Sequence, residues 1–284
     1  MEKKLSIITI NHNNAPGLRK TMESVFSQTS NNFEYIVIDG GSTDGSKEII
    51  LEFAKQHFNK SINRPFTWIS ETDKGLYHAM NKGIRIASGE YCQFLNSGDW
   101  LVSVDVTSRM LDKLPESSIV YGNMIKQLPN GKILYNKEIP AMSFLTFYTG
   151  TLNHSPSYIK RSLFKKYGMY DENLKIISDW KFFLIAIALN NEKVIYQDVD
   201  VTCFDMKGIS NLNSELDKKE RKLVLEQLIP ANILADYNHY FDLILKMKRI
   251  NRYSLTRWLV WLLERILFKL EKWETHLKNE HIIY

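Results

Sequence analysis

Four times in the first hundred residues a short run rich in β-branched and aromatic residues appears, and after each of the first three apolar residues return every three or four positions. No other feature restricts the fold as much. LSIITI (5–10) leads to Leu18, Met22, Val25 and Phe26; FEYIVID (33–39) leads to Ile49, Ile50, Phe53 and Ala54. FTWIS (66–70) leads to Leu76, Met80, Ile84 and Ala87, and EYCQFL (90–95) closes the series. Continuous apolar runs mark strands buried on both faces, and the period near 3.6 marks helices that cover them. Strands alternating with helices over short links specify a mostly parallel α/β sheet with right-handed crossovers. The first hundred residues read as a Rossmann-like, nucleotide-binding half.

The pattern then loosens. SIVYGN (118–123) and KILYN (132–136) flank Pro-Asn-Gly and predict a hairpin. PSYIK (156–160) and VIYQDVDVTCF (194–204) predict two more strands, with an apolar helix over 179–190 between them. A polar stretch, 207–220, reads as a loop or linker, and the chain beyond it reads as helix. The expected organisation is a catalytic domain over 1–210, divided near residue 100 into nucleotide-binding and acceptor-binding halves, with a helical extension over 211–284.

Composition removes several classes. The chain has 284 residues and only two cysteines, Cys92 and Cys203, without metal-site spacing. A disulfide scaffold or zinc site is therefore not expected, and a cytoplasmic setting is. The apolar run at the N-terminus is too short for a secretory signal, and no stretch reaches the ~18 apolar residues of a membrane span. Net charge is +5, and residues 246–284 hold nine Lys and Arg against four Asp and Glu, so the excess lies entirely in the tail. A basic tail without a nucleic-acid motif does not suggest a nucleic-acid partner.

Ligands of an open parallel sheet bind beyond the carboxyl ends of its strands. There this chain places Asn11-His12-Asn13, the loop from Asp39 to Asp44, Glu71-Thr72-Asp73-Lys74-Gly75, and Asn96-Ser97-Gly98-Asp99. Such tetrapeptides are also ordinary turn chemistry; four polar strand ends on one edge favour a site. No GxGxxG or GxxxxGK[ST] follows the first strand, so neither a dinucleotide fingerprint nor a P-loop is present. Acidic strand ends of this kind could hold a diphosphate through a bridging metal.

The segments SIITINHNN, QTSNNFEYIVIDGGSTDGS, ISETDKGLYHAMNKGI, GEYCQFLNSGDWL, NHSPSYIKRSLF and GMYDENLKIISDWKFFL together resemble the family-2 glycosyltransferases of GT-A fold, in order over roughly residues 5–205. The resemblance implies inverting transfer of a sugar from a nucleotide diphosphate, a UDP-sugar first, to a hydroxyl of a glycan or lipid-linked glycan. It places Ile10, Asn11, His12 and Asp39 at the nucleotide, with Asp39 on the base and His12 where relatives often stack a Tyr. Asp73, Lys74 and Asn81 continue the nucleotide and diphosphate lining, and Tyr77 and Gly83 follow the same pattern. Asn96 to Asp99 falls on the Asp-x-Asp signature, with Asn96 in place of the first acid and Asp99 left to hold Mg²⁺ or Mn²⁺; His154 matches a His near diphosphate or metal. Asp179 matches the general base.

Each assignment has a plainer alternative. Asp39 could cap the following helix, a role Asp44 suits better; Asp179 could be a helix N-cap; Trp180 could stack on a sugar or belong to the core. The weakened metal signature leaves open a catalytically silent scaffold that keeps the fold. In the tail, Leu255, Trp258, Leu259, Leu262, Leu263, Ile266, Leu270 and Trp273 form a helical stripe, widened by Trp261 and Phe268. With the local basic excess this predicts an interfacial helix at the inner membrane face; packing on the domain or in a homodimer is the competing reading.

Overall fold

The structure, a computed structural model, describes residues 4–59, 64–112, 117–127, 133–136, 139, 142–204, 213–250 and 252–280, with backbone alone at 59, 248 and 273–280. The elements run β1 (Leu5–Asn11), α1 (Ala15–Phe26), β2 (Phe33–Asp39), α2 (Ser46–Asn59), β3 (Phe66–Ser70), α3 (Leu76–Ile86) and β4 (Tyr91–Phe94). Next come β5 (Trp100–Leu101), α4 (Val106–Asp112), β6 (Ile119–Gln127), β7 (Ile133–Asn136), α5 (Phe144–Thr149), β8 (Ser157–Lys160) and α6 (Ser162–Tyr167). Then follow α7 (Ser178–Phe183), continued by a π-helical turn Leu184–Leu189, and β9 (Val194–Phe204). The chain ends in α8 (Ser214–Leu228), α9 (Ala231–Ile250) and α10 (Ser254–Glu280).

The strands form a single mixed sheet in the order β3-β2-β1-β4-β8-β6-β9-β5, with β7 added to β6. β1, β2, β3 and β4 are parallel, as their buried apolar runs require. β8 is antiparallel to both β4 and β6, and β9 returns parallel to β6. The hairpin pairs Met124 to Gln127 of β6 with Asn136 to Ile133 of β7, while its Pro-Asn-Gly turn lies outside the described residues.

Every residue of β1 and β2 is buried. Leu18, Met22 and Val25 of α1 and Ile50 and Phe53 of α2 pack in one cluster with Leu5, Ile7, Phe33, Tyr35 and Val37. Each such side chain contributes about 1.5–3 kcal/mol of transfer free energy, so this layer supplies much of what holds the strand ends in place. Gly83 belongs to that packing. A Cβ there would lie 2.4 Å from Ile8 Cγ2, so its absence lets α3 approach β1.

By its contacts the chain divides into the units Met1–Arg221 and Lys222–Tyr284. The expected linker is corrected in part: 213–220 does not run as a loop, and α8 begins at Ser214. Glu220 is buried and accepts the backbone N–H groups of Lys175 (2.7 Å) and Ile176 (3.1 Å), and Arg221 donates to Gly150 O at 2.8 Å. These ties reward helix across a segment whose polarity alone reads as loop. Residues 205–212 lie outside the described set. In the second unit, much of α9 and α10 is exposed, including Leu255 (66%), Trp258 (54%) and Leu263 (57%). The Trp273 side chain lies outside the described residues. No helix among the described residues is long and apolar enough to cross a membrane.

Candidate active site

Register builds the first half of the site. Asn11, Asp39 and Ser70 are direct neighbours across the ends of β1, β2 and β3. Asp39 Oδ1 accepts Asn11 Nδ2 (2.8 Å) and Ser42 Oγ (2.5 Å); Oδ2 accepts Ser42 N (3.1 Å) and Ser70 Oγ (2.7 Å). Burial pushes the Asp39 pKa up, and the donors of Ser42, Ser70 and Asn11 outweigh it, so the carboxyl lies below its ordinary range. Ser42 also receives Asn13 N at 2.8 Å, and Thr43 N donates to Asn13 Oδ1 at 2.9 Å, tying the β1 and β2 loops together. Asp44 takes the capping role: it accepts Ser46 N at the start of α2 (3.2 Å) and Ala15 N at the start of α1 (2.7 Å).

His12 and Lys74 are exposed beside this row, and Ile10 is buried beneath it. Asp73 is 7% exposed and holds Lys82 Nζ (2.6 Å) and His78 Nδ1 (2.9 Å) on its Oδ1. Lys82 also reaches Glu71 at 2.6 Å. His78 and Lys82 were given no role from sequence, yet they stand four residues apart on α3, the spacing of one helical face.

The second half forms around the end of β4. Ser97 N donates to Ile10 O at 3.0 Å, extending the β4–β1 alignment into the Asn96–Asp99 turn. Gly98 has φ +107°, where a side chain is strained, and its N–H donates to Thr21 Oγ1 (3.0 Å), which donates to Asp99 O (2.6 Å). The turn is thus clamped to α1, and Asp99 is 4% exposed. Its neighbour Asn96 brings Nδ2 to 3.4 Å from His154 Nε2.

His154, in the loop before β8, meets Asp179, near the start of α7, with Nδ1 2.7 Å from Oδ2. Tyr77 of α3 donates its hydroxyl to Asp179 Oδ1 at 2.9 Å. Burial pushes Asp179 up, and the bonds from His154 and Tyr77 more than reverse it, leaving the carboxyl below its ordinary range. For His154, burial pulls the imidazole down, while the bond to Asp179 and the charges of Asp179 and Asp99 raise it above its ordinary value. With Nδ1 donating to Asp179, Nε2 is left as the acceptor, the form a metal-binding imidazole requires. Sequence reading singled out Asp179, His154, Asn96 and Asp99 separately; the fold brings them together. It missed Tyr77 as the partner of Asp179, for which spacing on α3 gives no signal.

Two expectations land elsewhere. Asn81 is buried and spent on structure: Nδ2 donates to Tyr170 O (2.9 Å) and Glu172 Oε1 (2.8 Å), and Oδ1 accepts Tyr170 N (3.1 Å). Its amide fastens α3 to the segment before α7 rather than facing the strand ends. Trp180 is a core residue, 2% exposed, with Nε1 bonded to Phe147 O at 2.9 Å and Arg221 over its ring. A separate cavity of about 390 Å³, lined by Tyr121, Ile187, Glu192, Val194 and Tyr196 among others, adjoins the N-terminal parts of β6 and β9 and contains none of the predicted residues.

Among the described residues no three or more His, Cys, Asp or Glu side chains cluster as a metal centre. Asp99 and His154 nonetheless offer oxygen and nitrogen donors in one place, and Asn96 Oδ1 beside them is buried without a partner. That small, hard set fits Mg²⁺ or Mn²⁺ if substrate oxygens and water complete the shell.

The parallel strand ends, the Asn96–Asp99 turn and the His154–Asp179 pair define a glycosyltransferase of GT-A fold. Residues 6–172, over half the chain, match the family described as glycosyl transferase family 2, and the chain belongs to it. It is 29% identical over 210 residues to a PGL/p-HBAD biosynthesis glycosyltransferase of Mycobacterium bovis, covering 72% of this chain and 78% of that one. The crystal structure of S. aureus TarS 1-349 in complex with UDP-GlcNAc is similar with a TM-score of 0.58 at 19% identity; 78% of this chain and 64% of that one, less than two thirds, are covered. Mannosyltransferase PcManGT from Pyrobaculum calidifontis, in complex with GDP-Man and Mn2+, gives a TM-score of 0.55 at 16% identity over 90% of this chain and 83% of that one. At these identities both structures bear on the fold alone.

Proposed function

We propose that this glycosyltransferase moves a hexosyl group from a nucleotide-diphosphate donor, a UDP-sugar, to a hydroxyl of a glycan or lipid-linked glycan, with inversion at the anomeric carbon. The observation that carries this reading is the 2.7 Å bond joining His154 to Asp179 beside the Asn96–Asp99 turn. It puts a held carboxylate next to the residues suited to a diphosphate-bound cation. The UDP-GlcNAc complex of S. aureus TarS supports the choice of donor class.

Asp179 is the base. An acceptor hydroxyl is a weak nucleophile until its proton leaves. The proton passes to Asp179, the acceptor oxygen bonds to the anomeric carbon, and the bond from that carbon to the phosphate oxygen breaks with its electron pair on UDP. Tyr77 and His154 hold the two carboxylate oxygens from opposite sides and fix their direction before the acceptor arrives. Asp99 and His154 would hold a divalent cation. Such an ion, when bound, neutralises charge on the departing diphosphate. Asn11, Asp39, Ser42 and Ser70 give the nucleotide edge a fixed floor.

The tail supports a peripheral location. Apolar side chains exposed along α10 and a local basic excess suit attraction to an anionic inner leaflet, where a lipid-linked acceptor would also lie. A UDP-release assay across a panel of UDP-sugars, with and without Mn²⁺, tests the function. Mn²⁺-supported release with one donor is expected. Binding of UDP without turnover on any acceptor would favour a silent scaffold instead.

A further inference from the structure

Among the described residues, three buried oxygens at the strand edge have no hydrogen-bond partner: Asn11 Oδ1, Asp73 Oδ2 and Asn96 Oδ1. All three are acceptors. A ligand that satisfies this edge must therefore bring donors, because buried acceptors left unpaired are costly. Asp73 is the most informative of them, since it bears the charge and its two oxygens are treated differently. Oδ1 is filled by Lys82 and His78, while Oδ2 is empty. The empty oxygen points to the ends of β1 and β2: a Cβ on Gly40 would lie 3.6 Å from it and 3.1 Å from His12 Nδ1. Gly40, His12 and Asp73 thus converge on one small, flat recess.

The neighbouring carboxylate cannot serve there. Asp39 already accepts four donors from within the protein, which fills the roughly four lone-pair positions of a carboxylate. Its role is to brace the loop.

We propose that Asp73 Oδ2 accepts the ring N–H of a uracil or thymine base and so selects the donor's nucleotide. This deepens the nucleotide-sugar reading above and rests on it. A single free oxygen matches a single ring N–H flanked by carbonyls. Guanine presents two adjacent donors that call for both oxygens of a carboxylate, and Oδ1 is occupied. Cytosine and adenine present a ring-nitrogen lone pair, which the carboxylate repels. Selection of this kind works as much by rejecting the wrong base as by holding the right one.

The test is Asp73→Asn in the full-length protein, with UDP and CDP binding measured by calorimetry in Mn²⁺ buffer. The Lys82 ammonium only donates, so it keeps the amide oxygen on its own side and turns the NH₂ toward the base. Wild type is expected to prefer UDP by on the order of 10- to 100-fold, the range of a hydrogen bond to a charged group. Asp73→Asn is expected to lower UDP binding by a similar factor and strengthen CDP, so that the preference falls at least tenfold. The ratio is internal to each variant, so partial unfolding, which weakens both nucleotides alike, leaves it unchanged. An unaltered UDP-to-CDP ratio overturns the proposal. A third ligand, 2′-deoxy-UDP, separates base from ribose: if Asp73→Asn abolishes only the penalty for the missing hydroxyl, the oxygen serves the ribose and the base assignment is wrong. Wild-type protein that binds none of the three nucleotides would refute the nucleotide-sugar reading itself, and this inference with it.

Discussion

His154 and Asp179, 25 residues apart in the chain, meet with Nδ1 2.7 Å from Oδ2, and Tyr77 grips the other oxygen of the same carboxylate at 2.9 Å. A carboxylate held on both oxygens is aimed before substrate arrives. Tyr77→Phe removes one of the two holds and nothing else from the ring. The expected outcome is a kcat reduced on the order of tenfold with donor KM unchanged, because the lost bond orients the base and does not touch the nucleotide. Steady-state kinetics on the matched donor checks this. Unchanged kcat with lowered thermal stability would make Tyr77 structural only.

Asn81→Ala should act on stability. The buried amide makes three hydrogen bonds, two of them to the Tyr170 backbone. Its loss strands those groups and is expected to destabilise by about 2–3 kcal/mol. Denaturant unfolding measures this, and nucleotide affinity of the folded fraction should stay at the wild-type value. A weakened nucleotide affinity without destabilisation would return Asn81 to the binding site.

The contrast between Asn81 and His154 shows what was legible in the sequence. The apolar runs and their spacing determine β1 to β4 and the helices between them, because burial on a parallel sheet leaves a strong periodic mark. The strand-end loops are legible for the same reason: once the strands are known, the edge is known. Which polar residue faces the edge is decided by packing at a distance. Asn81 sits one helical turn from Tyr77, yet one fastens a loop and the other orients the base, a difference set by Tyr170 and Asp179, 89 and 102 residues further along the chain. The helical start of α8 was likewise hidden, because Glu220 and Arg221 look like solvent residues until their partners at Lys175, Ile176 and Gly150 appear.

Glu192 gives a pH signature outside the site. Burial pushes its carboxyl up, but Lys166, Ser118 and Tyr167 bring it down to about 2. A depressed carboxylate contributes stability that is fully present above its unfolded pKa and is lost as pH falls through the folded one. The contribution should therefore be intact above about pH 4.5, the unfolded range of a Glu, and disappear toward about 2. Glu192→Gln is expected to lose about 2 kcal/mol at neutral pH and to show a flatter acid limb in thermal melts. Parallel wild-type and variant limbs would contradict the assignment.

The tail can be tested without the catalytic reaction. If α10 lies on anionic lipid, full-length protein should float with anionic vesicles, more weakly as salt rises but not to zero, since its apolar contacts are unscreened. Truncation near residue 245 should abolish flotation and leave nucleotide binding intact. Full-length protein that stays with the soluble fraction at low salt would rule out membrane attachment, and aggregation of the truncated protein would support packing instead.

The central claim is that Asp179 removes the acceptor's proton in transfer from a UDP-sugar. Its most direct test is Asp179→Asn, measured for donor binding by calorimetry and for UDP release with acceptor in the same preparation. The expected result is near-normal donor affinity with turnover reduced on the order of 10² to 10⁴, the usual worth of a general base. Full turnover in Asp179→Asn would contradict it.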